Sequence, residues 1–311
     1  MSTVSILRIG TRGSPLALAQ AEAVRAALLA AHAALEEPAA VEIVPIRTTG
    51  DKVRDRALAD IGGKGLFTKE IEEALLAGRV DVAVHSVKDM PTWLPEGLAI
   101  DCFLEREDPR DVFLARESAS LADLPEGAVV GTTSLRRKAQ LLVRRPDLRV
   151  TNFRGNVHTR LRKLKEGQVD ATLLALAGLK RLGMADLATA VLEPSDMLPA
   201  VGQGAIGVEC REGDPRVREL LAPLNDPPTA VAMAAERAFL AALDGSCRTP
   251  IAALARLDGD GTLVLDGLVA RPDGSACWRT GRRGPAAEAA ELGSDAGREL
   301  KAAGADVFDT V

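Results

Sequence analysis

The sequence predicts an α/β protein built from two lobes of mixed, parallel-rich sheet and a smaller α+β domain in the C-terminal part of the chain. Short apolar segments alternate with helical segments through the first two lobes, which is typical of parallel strands covered by helices. After residue 225 the predicted strands follow one another, as in an antiparallel sheet. The 311 residues exceed what one ordinary hydrophobic core organises, so several domains are expected.

Capping residues mark the helices of the first lobe. Its strands are predicted from apolar runs at residues 4–9, 41–46 and 80–84. Its helices are predicted at residues 16–35 and 69–77. Ser14 is a typical N-cap, Pro15 is favoured in a first helical turn, and Gly78 is a typical C-cap.

The second lobe and the C-terminal domain are predicted in the same way. In the second lobe the strands are at residues 128–130, 149–153 and 171–176. The helices between them are at residues 135–145 and 157–166. In the C-terminal domain, helices at 229–243 and 286–303 flank strands at 252–256, 263–270 and 276–280.

The two lobes echo each other in sequence. Residues 10–14 and 131–134 each follow a strand and open a helix, and residues 78–84 resemble 167–173. The echo predicts two similar lobes, the second inserted in the first, with a ligand in the cleft between them at the strand ends. The predicted division is residues 1–104 with 201–222, residues 105–200, and residues 223–311.

Composition excludes several classes of protein. Hydrophobic residues make up 47% and charged residues 27%, which excludes a disordered chain, and no apolar run is long enough to span a membrane. Aromatic residues are only 3%, which argues against base-stacking on single-stranded nucleic acid. The four cysteines contain no CxxC pair, so we expect a reducing, cytoplasmic setting rather than a disulfide or zinc framework.

Charge is concentrated in one segment. The chain has a formal net charge of −5, yet residues 131–165 contain eleven Lys or Arg residues and a single acid. A basic field on an acidic protein indicates an anionic ligand. A nucleic-acid surface and a merely solvated face are the alternatives, and Arg145 is interpreted as an outer, solvated charge of this segment.

Candidate anion-binding residues lie at predicted helix starts, where free N–H groups and the helix dipole favour negative charge. They are Arg12 and Ser14; Thr132, Ser134, Arg136 and Arg137; and Arg154, Gly155 and Arg160. Arginine holds a carboxylate through two parallel hydrogen bonds, which lysine cannot do. For the two serines, ordinary capping is the alternative interpretation.

Three further residues indicate chemistry. Asp89 closes an apolar strand beside Lys88 and is the best acid–base candidate, although a structural Lys88–Asp89 pair or an Asp cap is an alternative. Cys247 lies in a glycine-containing loop beside an arginine, which favours the thiolate, although an inert thiol is the alternative. Lys64 lies in a glycine-rich loop without P-loop spacing, which is either a mobile loop or a plain turn. The three histidines form no ligand-spaced cluster, so no metal is expected.

Eight motifs, in the same order along the chain, resemble those of the hydroxymethylbilane synthase family, also called the porphobilinogen deaminase family. They are TRGSPLA (11–17), GGKGLF (62–67), HSVKDMP (85–91), EREDPRD (105–111), GTTSLRR (131–137), RGNV (154–157), LPAVGQGA (198–205) and GSC (245–247). The resemblance implies that the first two lobes are similar to type II periplasmic binding proteins. It also implies a transferase of tetrapyrrole and heme biosynthesis that condenses four porphobilinogen molecules head to tail, releasing ammonia and hydroxymethylbilane.

The resemblance further implies a dipyrromethane cofactor bound through a thioether to Cys247, with Asp89 as the catalytic group. Other cofactor-binding residues are implied at Ser14, Lys88, Asp89, Thr132, Ser134, Arg136, Arg137, Arg154 and Gly155. Substrate-binding residues are implied at Arg12, Lys64, Arg160, Arg181 and Gln203. Porphobilinogen is then the substrate of a cytoplasmic monomer that binds neither nucleic acid nor membrane.

Two other functions compete with this interpretation. A solute receptor or effector domain of the same two-lobed architecture explains the lobes and the anion sites, but it gives no role to Cys247 or Asp89. A nucleic-acid-binding protein explains the basic segment and requires strongly salt-dependent binding to DNA.

Overall fold

The computed structural model describes residues 7–35, 40–52, 68–244 and 249–308. The candidate residues Lys64 and Cys247 lie outside these ranges. The chain forms two compact units, one of Met1–Arg106 with Ala205–Ala230 and one of Glu107–Gly204 with Val231–Val311. The division into three domains at residues 1–104 with 201–222, 105–200 and 223–311 stays a prediction.

The first unit contains a five-stranded mixed sheet. Its strands are β1 (Leu7–Arg12), β2 (Val41–Ile46), β3 (Val82–Ser86), β4 (Leu98–Phe103) and β10 (Ile206–Arg211), in the order β2-β1-β3-β10-β4. Strands β1, β2 and β3 are parallel, whereas β10 is antiparallel to both of its neighbours. The helices are α1 (Pro15–Ala31), α2 (Thr49–Lys52), α3 (Lys69–Leu76), α7 (Pro215–Leu221) and α8 (Pro227–Ala242), which continues into the second unit.

The core of the first unit forms where α1 covers one face of this sheet. Ala21, Val24 and Leu28 recur at helical spacing along α1 and pack with Leu7 and Ile9 of β1, and all five are fully buried. Burial of such an apolar face, rather than helix propensity, provides most of the stability of a helix of this length. The close packing of α1 on the strands fixes the loop between β1 and α1.

The second unit repeats the topology of the first. Its sheet contains β5 (Asp111–Ala115), β6 (Val129–Gly131), β7 (Arg149–Thr151), β8 (Ala171–Ala175) and β9 (Ala190–Val191), in the order β7-β6-β8-β5-β9. Strand β6 is parallel to β7 and β8, and β5 is antiparallel to its neighbours. The helices between these strands are α4 (Leu135–Arg144), α5 (Val157–Lys165) and α6 (Leu176–Arg181). The predicted echo is therefore confirmed, because both sheets place the antiparallel strand between the third and the outermost strand.

A three-stranded antiparallel sheet completes the second unit. It consists of β11 (Ile251–Leu257), β12 (Thr262–Ala270) and β13 (Cys277–Pro285), flanked by α9 (Ala289–Ala303) and α10 (Ala305–Phe308). Strand β13 continues five residues beyond the predicted end at residue 280 because its arginines and glycines pair with β12 over its full length. Among the described residues, no helix combines the length and apolar character that a membrane span requires.

Several strands differ from the prediction. Strand β1 extends to Arg12, beyond the predicted end at residue 9, and strands β4, β5, β9 and β10 were not predicted. Strands β1 and β10, for example, carry polar residues, Thr11 and Glu209, that interrupt an apolar run. Their position in the sheet is set by pairing with distant strands, which a local pattern does not contain. The predicted fold class itself, α/β with two lobes of mixed sheet and a smaller α+β part, is confirmed.

Candidate active site

The loop from β1 to α1 is held in place by its own polar residues. Ser14 is the N-cap of α1, and its Oγ accepts a hydrogen bond from the Ala17 N–H at 3.3 Å. The buried Thr11 hydroxyl donates to the Ala17 carbonyl at 3.3 Å. Pro15 occupies the first turn, where its missing N–H costs nothing. These contacts orient the N-terminus of α1, with its partial positive charge, as the sequence predicts.

An open cavity lies at this point of the first unit. It is lined by Arg12, Ser14, Leu16, Ala17, Gln20, Thr68, Val84, His85, Ser86, Asp89 and Met90. Gln20 is buried, and its side-chain amide donates to the Ser86 Oγ at 2.8 Å, which ties α1 to the end of β3. The cavity therefore combines a cationic side chain, a helix N-terminus and a carboxylate.

Asp89 is the exposed carboxylate of this cavity. It lies on the single 3₁₀ turn Val87–Asp89, which follows β3 directly. Its side chain forms no hydrogen bond or ion pair with any described residue, so the structural Lys88–Asp89 pair is not present. Lys88 is half-buried and has other contacts. A carboxylate held at a strand end without a partner is available to a ligand.

The second unit presents two helix starts of the predicted kind. Ser134 is the N-cap of α4, and its Oγ accepts from the Arg137 N–H at 3.4 Å. The hydroxyl of the buried Thr132 accepts from the Ser134 N–H at 3.2 Å. Asn156 caps α5 in the same way, accepting from the Thr159 N–H at 2.9 Å. The preceding Gly155 has φ 130°, and a Cβ there would lie 2.6 Å from the Thr159 side chain, so the turn requires glycine.

Arg160 is a half-buried cation without a carboxylate partner among the described residues. Its Nε donates to the Gly155 carbonyl at 2.9 Å, and its Nη2 lies 3.5 Å from the Thr133 hydroxyl. Burial, followed by repulsion from Arg137 and Arg154, lowers the pKa of Arg160 to about 10. An anion bound beside these guanidinium groups would relieve both effects.

Arg136 and Arg137 enter a buried network that sequence reasoning did not anticipate. Asp111 is fully buried on β5, and its Oδ2 accepts from Arg136 Nη1 at 2.7 Å while its Oδ1 accepts from Arg137 Nη2 at 2.8 Å. Gln203 is also buried and donates to Asp111 Oδ1 at 2.9 Å. Burial raises the pKa of Asp111, but attraction by Arg136 and Arg137 outweighs it and holds the pKa well below its ordinary value.

Part of this charge is uncompensated. One carboxylate faces two guanidinium groups, and the enclosed Nε of Arg136 has no hydrogen-bond partner in the part of the chain that the structure describes. The predicted roles of these arginines and of Gln203 toward cofactor and substrate therefore stay predictions alongside a structural role that the contacts define. In the sequence, the one signal that marked Asp111 was its place as the last residue of the EREDPRD motif.

Two other arginines have specific structural contacts. Arg181 is half-buried and donates from Nη2 to the Gly204 carbonyl at 2.6 Å. Burial lowers the pKa of Arg181, although the negative charge of Glu107 acts to raise it. Arg145 pairs with Asp147 at 2.7 Å and donates to the carbonyl groups of a preceding loop. Arg145 is therefore not the outer, solvated charge that the sequence suggested, because it binds residues 21 to 24 positions earlier.

The described cysteines are poor nucleophiles. Burial raises the pKa of Cys102 to about 12 and that of Cys210 to about 11, and it also raises the pKa of the half-buried Cys277. Within the described ranges, no group of three His, Cys, Asp or Glu side chains is placed to hold a metal ion.

Cationic side chains and helix N-termini at strand ends, which each unit contains, are suited to binding anionic small molecules. The family model "Porphobilinogen deaminase, dipyromethane cofactor binding domain" matches residues 7–219, and the model "Porphobilinogen deaminase, C-terminal domain" matches residues 230–302. The chain belongs to the porphobilinogen deaminase family.

Two curated relatives agree with this assignment. The chloroplastic porphobilinogen deaminase of Oryza sativa subsp. japonica is 60% identical over 99% of this chain and 87% of its own length. The porphobilinogen deaminase of Paracoccus denitrificans is 58% identical over 97% of this chain and 96% of its own length. Among solved structures, a periplasmic substrate-binding protein of an ABC transporter from Coxiella burnetii is 16% identical over 71% of this chain and 93% of its own, with a TM-score of 0.43.

The family assignment confirms what the sequence motifs implied about activity. The enzyme is a transferase, a hydroxymethylbilane synthase of tetrapyrrole biosynthesis, and its cofactor is dipyrromethane. The competing interpretations, a solute receptor and a nucleic-acid-binding protein, are not supported.

Proposed function

We propose that Asp89 is the acid–base group of the condensation and that the cations at the helix starts bind the carboxylates of cofactor and substrate. The observation that carries the proposal is the unpaired, exposed carboxylate of Asp89 in a cavity that also contains Arg12 and the N-terminus of α1. A carboxylate in a cavity built for anions is electrostatically unfavourable unless it serves the chemistry. Substitution of Asp89, described in the Discussion, is the direct test.

The reaction requires proton transfer at two points. Loss of ammonia leaves positive charge on the pyrrole ring, and the ring carbon that is then joined must lose its proton. A single positioned carboxylate stabilises that charge and accepts that proton. Asp89 is suited to both tasks because it is fixed by the turn after β3 and carries no other partner among the described residues.

The cationic and hydrogen-bond-donating side chains of both units are suited to binding the carboxylates of the cofactor. The dipyrromethane supplies the pyrrole carbon to which the first porphobilinogen is joined, together with carboxylate side chains that need cationic partners. In the first unit, Arg12 and Ser14 are placed to bind carboxylates. In the second unit, Arg160 is a cation without an acidic partner among the described residues, and Arg154 lies near enough to affect its charge. Thr132, Ser134 and Gly155 hold the loops from which these groups project.

Binding by Arg160 can be measured against a matched charge on the same helix. Arg160→Leu should raise the KM for porphobilinogen roughly 10- to 100-fold, because a hydrogen bond to a charged group contributes about 1.5–3 kcal/mol. Lys165→Leu, which removes an exposed cation of α5, should change KM less than about twofold. Equal effects of the two substitutions would show that the basic segment acts only as a diffuse field.

Cys247 is proposed as the attachment point of the cofactor. The three described cysteines are buried or half-buried with raised pKa values, and Cys247 completes the GSC motif. Cys247→Ser should therefore abolish the cofactor adduct in the intact mass, while the matched variant Cys277→Ser should retain it. An adduct of unchanged mass on Cys247→Ser would refute this attachment.

We also propose that the enzyme acts as a monomer in the cytoplasm, as the sequence suggests. The absence of a membrane-spanning helix among the described residues is compatible with this location. The names of two plant relatives carry the designation chloroplastic, so an organelle interior is the alternative for proteins of this family.

A further inference from the structure

A buried cluster of three titratable side chains lies against the cavity of Asp89. His85 of β3 and Glu209 of β10 are on the same face of the sheet, because Glu209 faces Ala83 in register and residues two apart share a face. His85 Nε2 is 3.0 Å from Glu209 Oε2, and the two residues are 6% and 0% exposed. The third member is Glu72 of α3, which is 5% exposed.

Several buried polar atoms of the cluster are not satisfied by hydrogen bonds. Three of its polar atoms are enclosed and have no hydrogen-bond partner among the described residues: Oε1 of Glu209, Oε1 of Glu72 and the hydroxyl of Thr68. Burial raises the pKa of Glu72, and the charges of Glu209 and Glu73 raise it further, while the nearby Thr68 and His85 lower it. The cluster thus places two buried carboxyl groups beside one imidazole, an arrangement that is costly when both carboxyl groups are ionised.

His85 connects this cluster with the cavity. His85 and Asp89 both line the cavity, and His85 Nδ1 has no hydrogen-bond partner among the described residues. An imidazole that donates from Nε2 to a carboxylate has Nδ1 free to accept a proton. The resulting imidazolium would be stabilised by Glu209.

We propose that His85, supported by Glu209 and Glu72, is the proton relay that returns Asp89 to its ionised form after each condensation. The step rests on the proposed role of Asp89. The new carbon–carbon bond forms, the C–H bond of the joined ring carbon breaks, and its proton passes to the Asp89 carboxylate. It then passes to Nδ1 of His85 and on to water, so that Asp89 is again a base for the next porphobilinogen. No oxidant or other co-reactant is needed.

The first test is spectroscopic and does not depend on turnover. The imidazole signals of the cofactor-loaded enzyme are titrated by NMR between about pH 5 and 9, the range in which imidazoles change charge. We expect the His85 signals to respond to pH and that response to move to lower pH in Glu209→Gln, because the carboxylate that contacts Nε2 is lost. His32 is the matched control, since the Leu220 carbonyl at 2.8 Å is the hydrogen-bond partner of its Nε2 among the described residues, and its signals should not respond to Glu209→Gln.

The second test is kinetic. His85→Gln keeps a hydrogen-bonding side chain but cannot relay a proton, so kcat should fall at least tenfold with KM changed less than threefold. The acid limb of the kcat profile should move to lower pH in Glu209→Gln and disappear in His85→Gln, whereas His32→Gln should retain it. The proposal is overturned if His85 does not titrate, if its midpoint is unchanged in Glu209→Gln, or if folded His85→Gln keeps the wild-type profile. Failure of the Asp89 assignment is separate, because it would appear as full activity of Asp89→Asn.

Discussion

Asp89→Asn should lower kcat at least about 10²-fold, which is the usual effect of removing a general acid–base group. The amide retains the shape of the side chain but removes its charge and its basicity. Both proposed tasks, stabilising positive charge on the ring and accepting its proton, are then lost. The variant should remain folded, because Asp89 is exposed and forms no hydrogen bond or ion pair with another described residue.

Two variants control this result. Asp89→Glu keeps a carboxylate at a shifted position and should retain more activity than the amide. Asp186→Asn makes the same chemical change at another exposed aspartate, outside the cavity, and should leave kcat within about twofold. Circular dichroism checks the fold, and the intact mass checks that the cofactor is bound. Wild-type turnover by a folded, loaded Asp89→Asn enzyme would transfer the acid–base role to another residue.

Asp111→Asn should lower the free energy of unfolding by about 3–5 kcal/mol, because it leaves Arg136 and Arg137 buried without a negative partner. The figure is the cost of breaking a buried pair, not the net stability that the pair adds. The matched control is Asp196→Asn, which removes the partner of Arg144 in an exposed pair at 3.3 Å and should cost less than about 1 kcal/mol. Urea unfolding measures both, and equal costs would contradict the account of this network.

Asp111 also makes the stability of the folded protein depend on pH, and the direction of that dependence follows from its pKa. The pKa of Asp111 is lower in the folded protein than in the unfolded chain, where it is about 3.9. As the pH falls below that value, the unfolded chain takes up a proton that the folded protein does not, so stability falls with pH. The stabilising contribution of ionised Asp111 is fully present above pH ~4. Below that pH, the free energy of unfolding should therefore decrease less steeply in Asp111→Asn than in the wild type.

Local features of the fold were accessible from the sequence. The N-cap Ser14, with Pro15 in the first turn, was predicted correctly because the groups that satisfy a helix start lie within three residues of it. Ser134 also caps its helix, which was the alternative interpretation of that residue. The repeat of strand, loop and helix in the two sheets was also visible, since it depends on short-range patterns. The family motifs then indicated how these features follow one another along the chain.

Contacts between distant residues were not accessible in this way. Asp111 binds arginines 25 and 26 residues later in the chain, and His85 binds Glu209 over 124 residues. Sequence reasoning could identify Arg136 as a cation at a helix start but not the carboxylate that holds it. The same limit explains Arg145, which the sequence suggested was solvated although it donates hydrogen bonds to the loop before β6. Pairing across a fold depends on the path of the whole chain, which residue spacing does not record.

The most direct test of the central claim follows single condensations on the enzyme itself. Cofactor-loaded wild-type and Asp89→Asn enzymes are mixed with porphobilinogen, quenched at increasing times and weighed intact by mass spectrometry. We expect the wild-type mass to increase in successive substrate increments, while the Asp89→Asn mass stays at that of the loaded enzyme over the same period. Increments that appear in Asp89→Asn at the wild-type rate would contradict the assignment of the acid–base chemistry to Asp89.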